Sequence, residues 1–154
     1  MKSTIKLFCL AAAMFFPLLA QSQNTAFFCT FEDDLDTAEW VFVNSSTANK
    51  WYIDTAVASA GLRSMYISSD NGATNTYSTG STSVSYAYHT LALDPGMYNV
   101  RYDWQCYGEG NYDYLRVFVV PNNTTFTPDM LPGGSSSYNF TTTVPAGWIC
   151  LNGS

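Results

Sequence analysis

The sequence predicts an all-β sandwich of antiparallel sheets, and three observations carry that expectation. In residues 98–105, Tyr98, Val100, Tyr102 and Trp104 alternate with Asn99, Arg101, Asp103 and Gln105. That is the two-residue period of a half-buried antiparallel strand. Turn-forming residues then recur about every eight to twelve positions, the spacing of a sandwich, and no helical periodicity longer than a turn follows residue 20. Finally, Tyr, Thr, Ser and Asn dominate beyond residue 20, while only 12% of the whole chain is charged. Tyr and Thr suit strands, and Ser, Asn and Gly suit the connections between them.

Taken in order, residues 26–32 (AFFCTFE) read as a first strand running into an acidic cluster of Glu32, Asp33, Asp34, Asp36 and Glu39. Residues 40–43 and 51–53 are short apolar pieces on either side of a polar loop, NSSTANK. Residues 64–68 form a strand that stops at Asp70-Asn71-Gly72, a strong turn signal. After an exposed loop at 75–83, residues 84–93 return to strand, and Asp94-Pro95-Gly96 turns them into the strand at 98–105. Gly108, Gly110 and Asn111 make the next loop, and Leu115, Val117 and Val119 resume the alternation until Pro121 removes a backbone donor. This spacing predicts a hairpin over 98–121. Residues 126–138 read as a connection, and 144–151 as a last strand around Trp148.

Residues 1–20 read as a secretory signal peptide, with Lys2 and Lys6 before an apolar run from 7 to 20 that is shorter than a membrane-spanning helix requires. Lys6-Leu7-Phe8 ahead of Cys9 does not fit a lipoprotein signal. The remaining 134 residues suffice for one domain. The leader holds two of the six cations, leaving four against twelve acids, a balance of −8. Such a chain offers no electrostatic footprint for nucleic acid or for an anionic membrane. Three cysteines remain, Cys29, Cys106 and Cys150, with no Cys-x-x-Cys and with His89 as the only histidine, so a zinc cage is excluded. Their disulfide state stays open. The chain stops at Asn152-Gly153-Ser154, where its last strand has barely begun, so a domain truncated at the C-terminus is expected.

A set of phrases occurs in order along this chain: FEDD at 31–34, Trp40, NKWYI at 49–53, GLRSMYISSDNG at 61–72, YAYHTLAL at 86–93, DYLRVFVVP at 113–121 and PAGW at 145–148. Together they resemble the jelly-roll modules of exported bacterial surface proteins in the cleaved-adhesin and choice-of-anchor J group, which are similar in layout to the MAM domain. The resemblance implies a jelly roll of two antiparallel sheets over residues 21–154, non-catalytic and carried in a longer multidomain protein that is secreted or displayed at the cell surface. It also implies a structural ion near Glu32, Asp33 and Asp34.

Calcium is the ion that suits such a site, since it takes about six to eight oxygen ligands that loops can bring together. Glu32 and Asp33 form one candidate donor set, and Asp70 with Asn71 a second. The ordinary alternative for each is a solvated carboxylate. A third acidic group, Asp103, Glu109 and Asp113, lies around the loop after the 98–105 strand, where Tyr107, Glu109, Tyr112 and Asp113 make the candidate binding surface. Two of those acids could be imagined as a glycosidase pair. Arg101 and Arg116 explain them more simply by ion pairing. No Gly-x-Ser-x-Gly elbow occurs, and nothing in the sequence orients His89 toward a cysteine. Trp40, Trp51, Trp104 and Trp148 fall one per strand-like piece, as core residues do, whereas Tyr77, Tyr107, Tyr112 and Tyr138 fall in loops. An adhesion module that binds extracellular protein or glycan through its loops is therefore the leading expectation. An accessory carbohydrate-binding module of a secreted hydrolase is the alternative, followed by a structural spacer, with an enzyme last.

Overall fold

The computed structural model describes residues 24–106, 112–113 and 115–132, together with the backbone of 137–138 and 149–153. Its elements are α1 (Asp34–Ala38), β1 (Val41–Val43), β2 (Lys50–Asp54), β3 (Ser64–Ser68), β4 (Tyr86–Tyr88), β5 (Val100–Trp104), β6 (Val117–Phe118), β7 (Ser137–Tyr138) and β8 (Ile149–Gly153). Among the described residues, the regular structure apart from one short helix is strand. The strands associate as four antiparallel pairs, β1 with β4, β2 with β3, β5 with β8 and β6 with β7.

The expected first strand at 26–32 is absent, and a helix follows it. Asp33 is extended (φ −101°, ψ 139°) and its Oδ1 accepts the Leu35 N–H at 2.8 Å, an N-cap that satisfies one of the donors left open at a helix start. Asp34 and Asp36 lie in the first turn, where negative charge suits the helix dipole. Phe31 sits at φ 66°, outside the extended region, and the next residue, Glu32, bonds the 62–63 backbone. A capped turn thus outcompetes the strand that the apolar run promised.

β2 and β3 match the expected pieces and pair over five positions, from Lys50 opposite Ser68 to Asp54 opposite Ser64. β3 buries Ser64, Tyr66 and Ser68 on one face. Serine serves there because its hydroxyl answers nearby backbone. Ser64 Oγ donates to Val57 O at 2.5 Å, and Ser68 Oγ accepts from Asp70 N and Gly72 N at 3.2 and 3.0 Å while donating to Asp70 Oδ1 at 2.6 Å. The turn after β3 has Asn71 at φ 61° and Gly72 at φ 87°, as the Asp-Asn-Gly triplet predicted.

Among the described residues, the two arms of the hairpin expected over 98–121 are not paired with each other. β5 pairs instead with β8, with Trp104 opposite Ile149 and Tyr102 opposite Leu151, and β6 pairs with β7. This register sets apolar positions against apolar positions, which decides a half-buried strand's partner more strongly than sequence proximity does. β4 is likewise shorter than the run at 84–93 implied. It covers three residues paired with β1, Val41 opposite Tyr88.

Among the described residues the buried hydrophobic side chains are Tyr66, Tyr86 and Trp104, and beside them Ser45, Asn49, Ser64 and Ser68 are buried polar groups. Asp129, at φ 62°, ties that polar layer together. Its carboxylate accepts from Ser45 Oγ (3.1 Å) and Val84 N (2.9 Å), and its own N–H donates to Val84 O (3.0 Å). Asn49 exchanges bonds with Ser78 across the sheet edge, both at 2.8 Å, and Trp51 Nε1 donates to Ser85 O at 3.0 Å. Buried polar groups are tolerable only when paired, so this network stands where a larger apolar core would otherwise be needed.

Candidate binding loops

Glu32 and Asp33, the first expected calcium pair, sit at the entrance to α1, and both have local partners. Glu32 Oε1 accepts the backbone N–H groups of Leu62 (2.9 Å) and Arg63 (2.8 Å). Those two bonds, the Arg63 one foremost, hold its carboxyl below the usual glutamate range. Gly61, at φ +72°, lets the backbone come this close, because a Cβ there would lie 2.4 Å from Glu32 Oε1. Arg63 also reaches Asp34 at 3.0 Å. The crowded acids are therefore relieved by one arginine and by backbone donors. Asp36 accepts from the N–H and hydroxyl of Thr30 at 3.3 and 3.2 Å.

The second expected pair, Asp70 and Asn71, lies at the other end of β3. A five-residue strand separates the two pairs by on the order of 14 Å, so they do not make one site. Both oxygens of Asp70 are engaged: Oδ1 by Ser68 Oγ (2.6 Å) and Thr74 N (3.0 Å), Oδ2 by Thr74 Oγ1 (2.8 Å). The Ser68 hydroxyl is the largest cause that keeps this carboxyl below the ordinary aspartate value. Asn71 Oδ1 accepts from Tyr52 OH at 3.5 Å. Among the described residues no group of three or more His, Cys, Asp or Glu side chains is arranged to hold a metal ion.

Of the four expected binding-loop residues, Tyr107 and Glu109 lie outside the described residues. Tyr112 is 79% exposed, and Asp113 beside it accepts from Tyr77 OH at 2.7 Å. Tyr77 comes from the 75–83 loop, so the fold joins two loops that the sequence placed 36 residues apart. Asp103, the other acid weighed for catalysis, accepts from Ser59 Oγ at 3.1 Å. His89 has a different environment from either cysteine pairing considered. Its ring lies between Phe27 (centroids 4.5 Å apart) and Trp40 (5.6 Å), and its Nε2 faces Glu39 Oε2 at 3.1 Å. Cys29 Sγ donates to Asp36 O at 3.5 Å.

Sequence reasoning missed Asp129 and Asn49, the residues that organise the polar layer. Pro128-Asp129 is a turn signal, and it was the only hint available. Comparison with known proteins returned nothing: no family model, no curated protein and no solved structure matches this chain. Among the described residues no helix is long and apolar enough to cross a membrane.

Proposed function

We propose that this chain is a non-catalytic adhesion module of an exported bacterial surface or secreted protein, a jelly roll of two sheets that binds extracellular protein or glycan through its loops. The observation that carries this reading is the division of labour among its side chains. Glu32, Asp33, Asp70, Asp103 and Asp113 each accept a hydrogen bond from another residue of the fold, while Tyr112 presents a largely bare ring beside the anchored Asp113. Carboxylates spent on holding loops are poor acid and base catalysts. An exposed tyrosine on a positioned loop is a good contact residue.

A tyrosine ring next to a carboxylate is also the pairing by which a protein stacks on a sugar face and accepts its hydroxyl groups, which favours glycan and keeps the accessory carbohydrate-binding module as the second reading. Calcium belongs to the proposal at Glu32 and Asp33 only, since each keeps one carboxylate oxygen free of protein donors, whereas both oxygens of Asp70 are bonded. An ion there would tie the start of α1 to the loop before β3.

The test is a glycan array and an extracellular-matrix protein panel, read for the wild type and for Tyr112→Ala. Binding that the substitution abolishes, with unfolding unchanged, supports the loop reading. Binding that survives it removes Tyr112 from the site. Thermal unfolding with calcium and then with excess chelator decides the ion: a drop in midpoint that Glu32→Ala removes supports it, and no drop ends it.

A further inference from the structure

The turn after β3 contains Asn71-Gly72, one of two Asn-Gly pairs in the chain, the other being Asn152-Gly153. An asparagine amide is open to attack by the backbone nitrogen of the residue that follows it, and glycine, with no Cβ, leaves that nitrogen least hindered. In such a reaction the Gly72 nitrogen bonds to Asn71 Cγ, the Cγ–Nδ2 bond breaks, and a five-membered imide closes. The Nδ2 group leaves as ammonia, taking up the proton that Gly72 gives up. Water then opens the imide to an aspartyl or an isoaspartyl residue. The first requirement is loss of the Gly72 N–H proton, the same loss that begins amide hydrogen exchange.

The fold holds that proton in place. Asn71 is exposed, with its Oδ1 accepting from Tyr52 OH at 3.5 Å, whereas Gly72 is buried. Gly72 N–H donates to Ser68 Oγ at 3.0 Å and Gly72 O accepts from Tyr66 OH at 2.6 Å, so both ends of the residue are tied to the buried face of β3. Ser68 is fully buried, which keeps water from replacing it as the acceptor. Its hydroxyl also donates to Asp70 Oδ1 at 2.6 Å, and that polarises its oxygen toward the Gly72 N–H. Asp70, with its carboxyl below the ordinary aspartate value, is too weak a base to draw the amide proton through the hydroxyl. We propose that Asn71 is a latent modification site, a self-deamidating amide that the buried Ser68 hydroxyl keeps closed while the turn is folded. Modification adds a carboxylate next to Asp70. In the isoaspartyl form it also adds a carbon to the backbone of a turn that holds Asn71 at φ 61°, so the modified turn cannot return to the same geometry. This inference is independent of the Tyr112 reading, and its test needs no ligand.

The test is peptide mapping by mass spectrometry of the full chain, incubated at mildly alkaline pH below its unfolding midpoint, for the wild type and Ser68→Ala. A free peptide of residues 66–76 gives the unprotected rate, and Asn152 is read in the same digests as an internal monitor of unfolding. In the wild type, Asn71 should deamidate more slowly than in the peptide by about tenfold or more, and Ser68→Ala should recover most of that difference while leaving Asn152 unchanged. A wild type that deamidates at the peptide's rate overturns the proposal. So does a Ser68→Ala chain that deamidates at the wild-type rate. A rise at Asn71 and Asn152 together means that the variant has unfolded, and hydrogen exchange of the wild type, read by NMR, then decides. A Gly72 amide that exchanges more slowly than in the peptide by about tenfold or more supports the proposal, and one that exchanges as fast as in the peptide overturns it.

Discussion

The loop after β3 and the segment before β5 are each built around an Asp-x-Gly turn and end in opposite states. In the first, residues 68–76, nearly every polar group finds a neighbour: Ser68 serves the Asp70 and Gly72 N–H groups, Asp70 serves Thr74, and Ser69 N–H donates to Thr76 O at 3.0 Å. In the second, residues 90–98, the backbone is open and the apolar side chains are uncovered. Both stretches contain an Asp-x-Gly turn. The difference lies in what surrounds the turn. Short hydroxyl side chains can fold back onto their own backbone, whereas Leu, Met and Tyr can be satisfied only by another surface.

The sharpest way to test this contrast lies within β5, whose two ends belong to the two regimes. Trp104, 5% exposed, closes the strand in the core, and Trp104→Ala should cost about 3 to 5 kcal/mol in urea unfolding. Val100, 44% exposed, opens the same strand, and Val100→Ala should stay within about 0.5 kcal/mol for the monomer. Comparable losses at both positions would mean that the bare end is covered in solution. A smaller effect is expected at Ser68, which is fully buried and holds two backbone donors. Ser68→Ala leaves those N–H groups without their acceptor and should destabilise by about 1 to 3 kcal/mol.

The smallest effect is on acid stability. Glu32 and Asp70 have carboxyls held below their ordinary values of 4.5 and 3.8 by hydrogen bonds to the charged form. A depressed folded-state pKa adds stability that is present above the unfolded value and is lost as the pH falls through the folded one. Unfolding midpoints should therefore fall below about pH 4.5, and Glu32→Gln should flatten that slope while lowering the midpoint at neutral pH. A slope that Glu32→Gln leaves untouched would move the acid dependence to Asp70 or elsewhere. Both groups lie at the surface, so the change is a shallow one.

The strand pieces at 41–43, 50–54, 64–68 and 100–104 were legible because alternation and turn residues are local signals. The turn at Asp70-Asn71-Gly72 was legible for the same reason, since Gly72 occupies a φ that other residues avoid. The run at 26–32 misled, because its apolar content hid the competing N-cap at Asp33 and the pull of Glu32 toward Leu62 and Arg63, 30 and 31 residues away. Of the candidate site, the exposure of Tyr112 was anticipated by its loop position, while the bond from Tyr77 to Asp113 was not.

By itself, then, the sequence determined that this protein is built from short antiparallel strands with polar connections, for alternation and turn chemistry act within a few residues. Only the tertiary structure decided that β5 takes β8 as its partner, that serine and asparagine fill part of the interior, and that Glu32 and Asp70 are bound to their own fold. Those outcomes depend on which donors and apolar positions meet across long stretches of chain. A one-dimensional pattern carries the demand for a partner and does not name the partner that meets it.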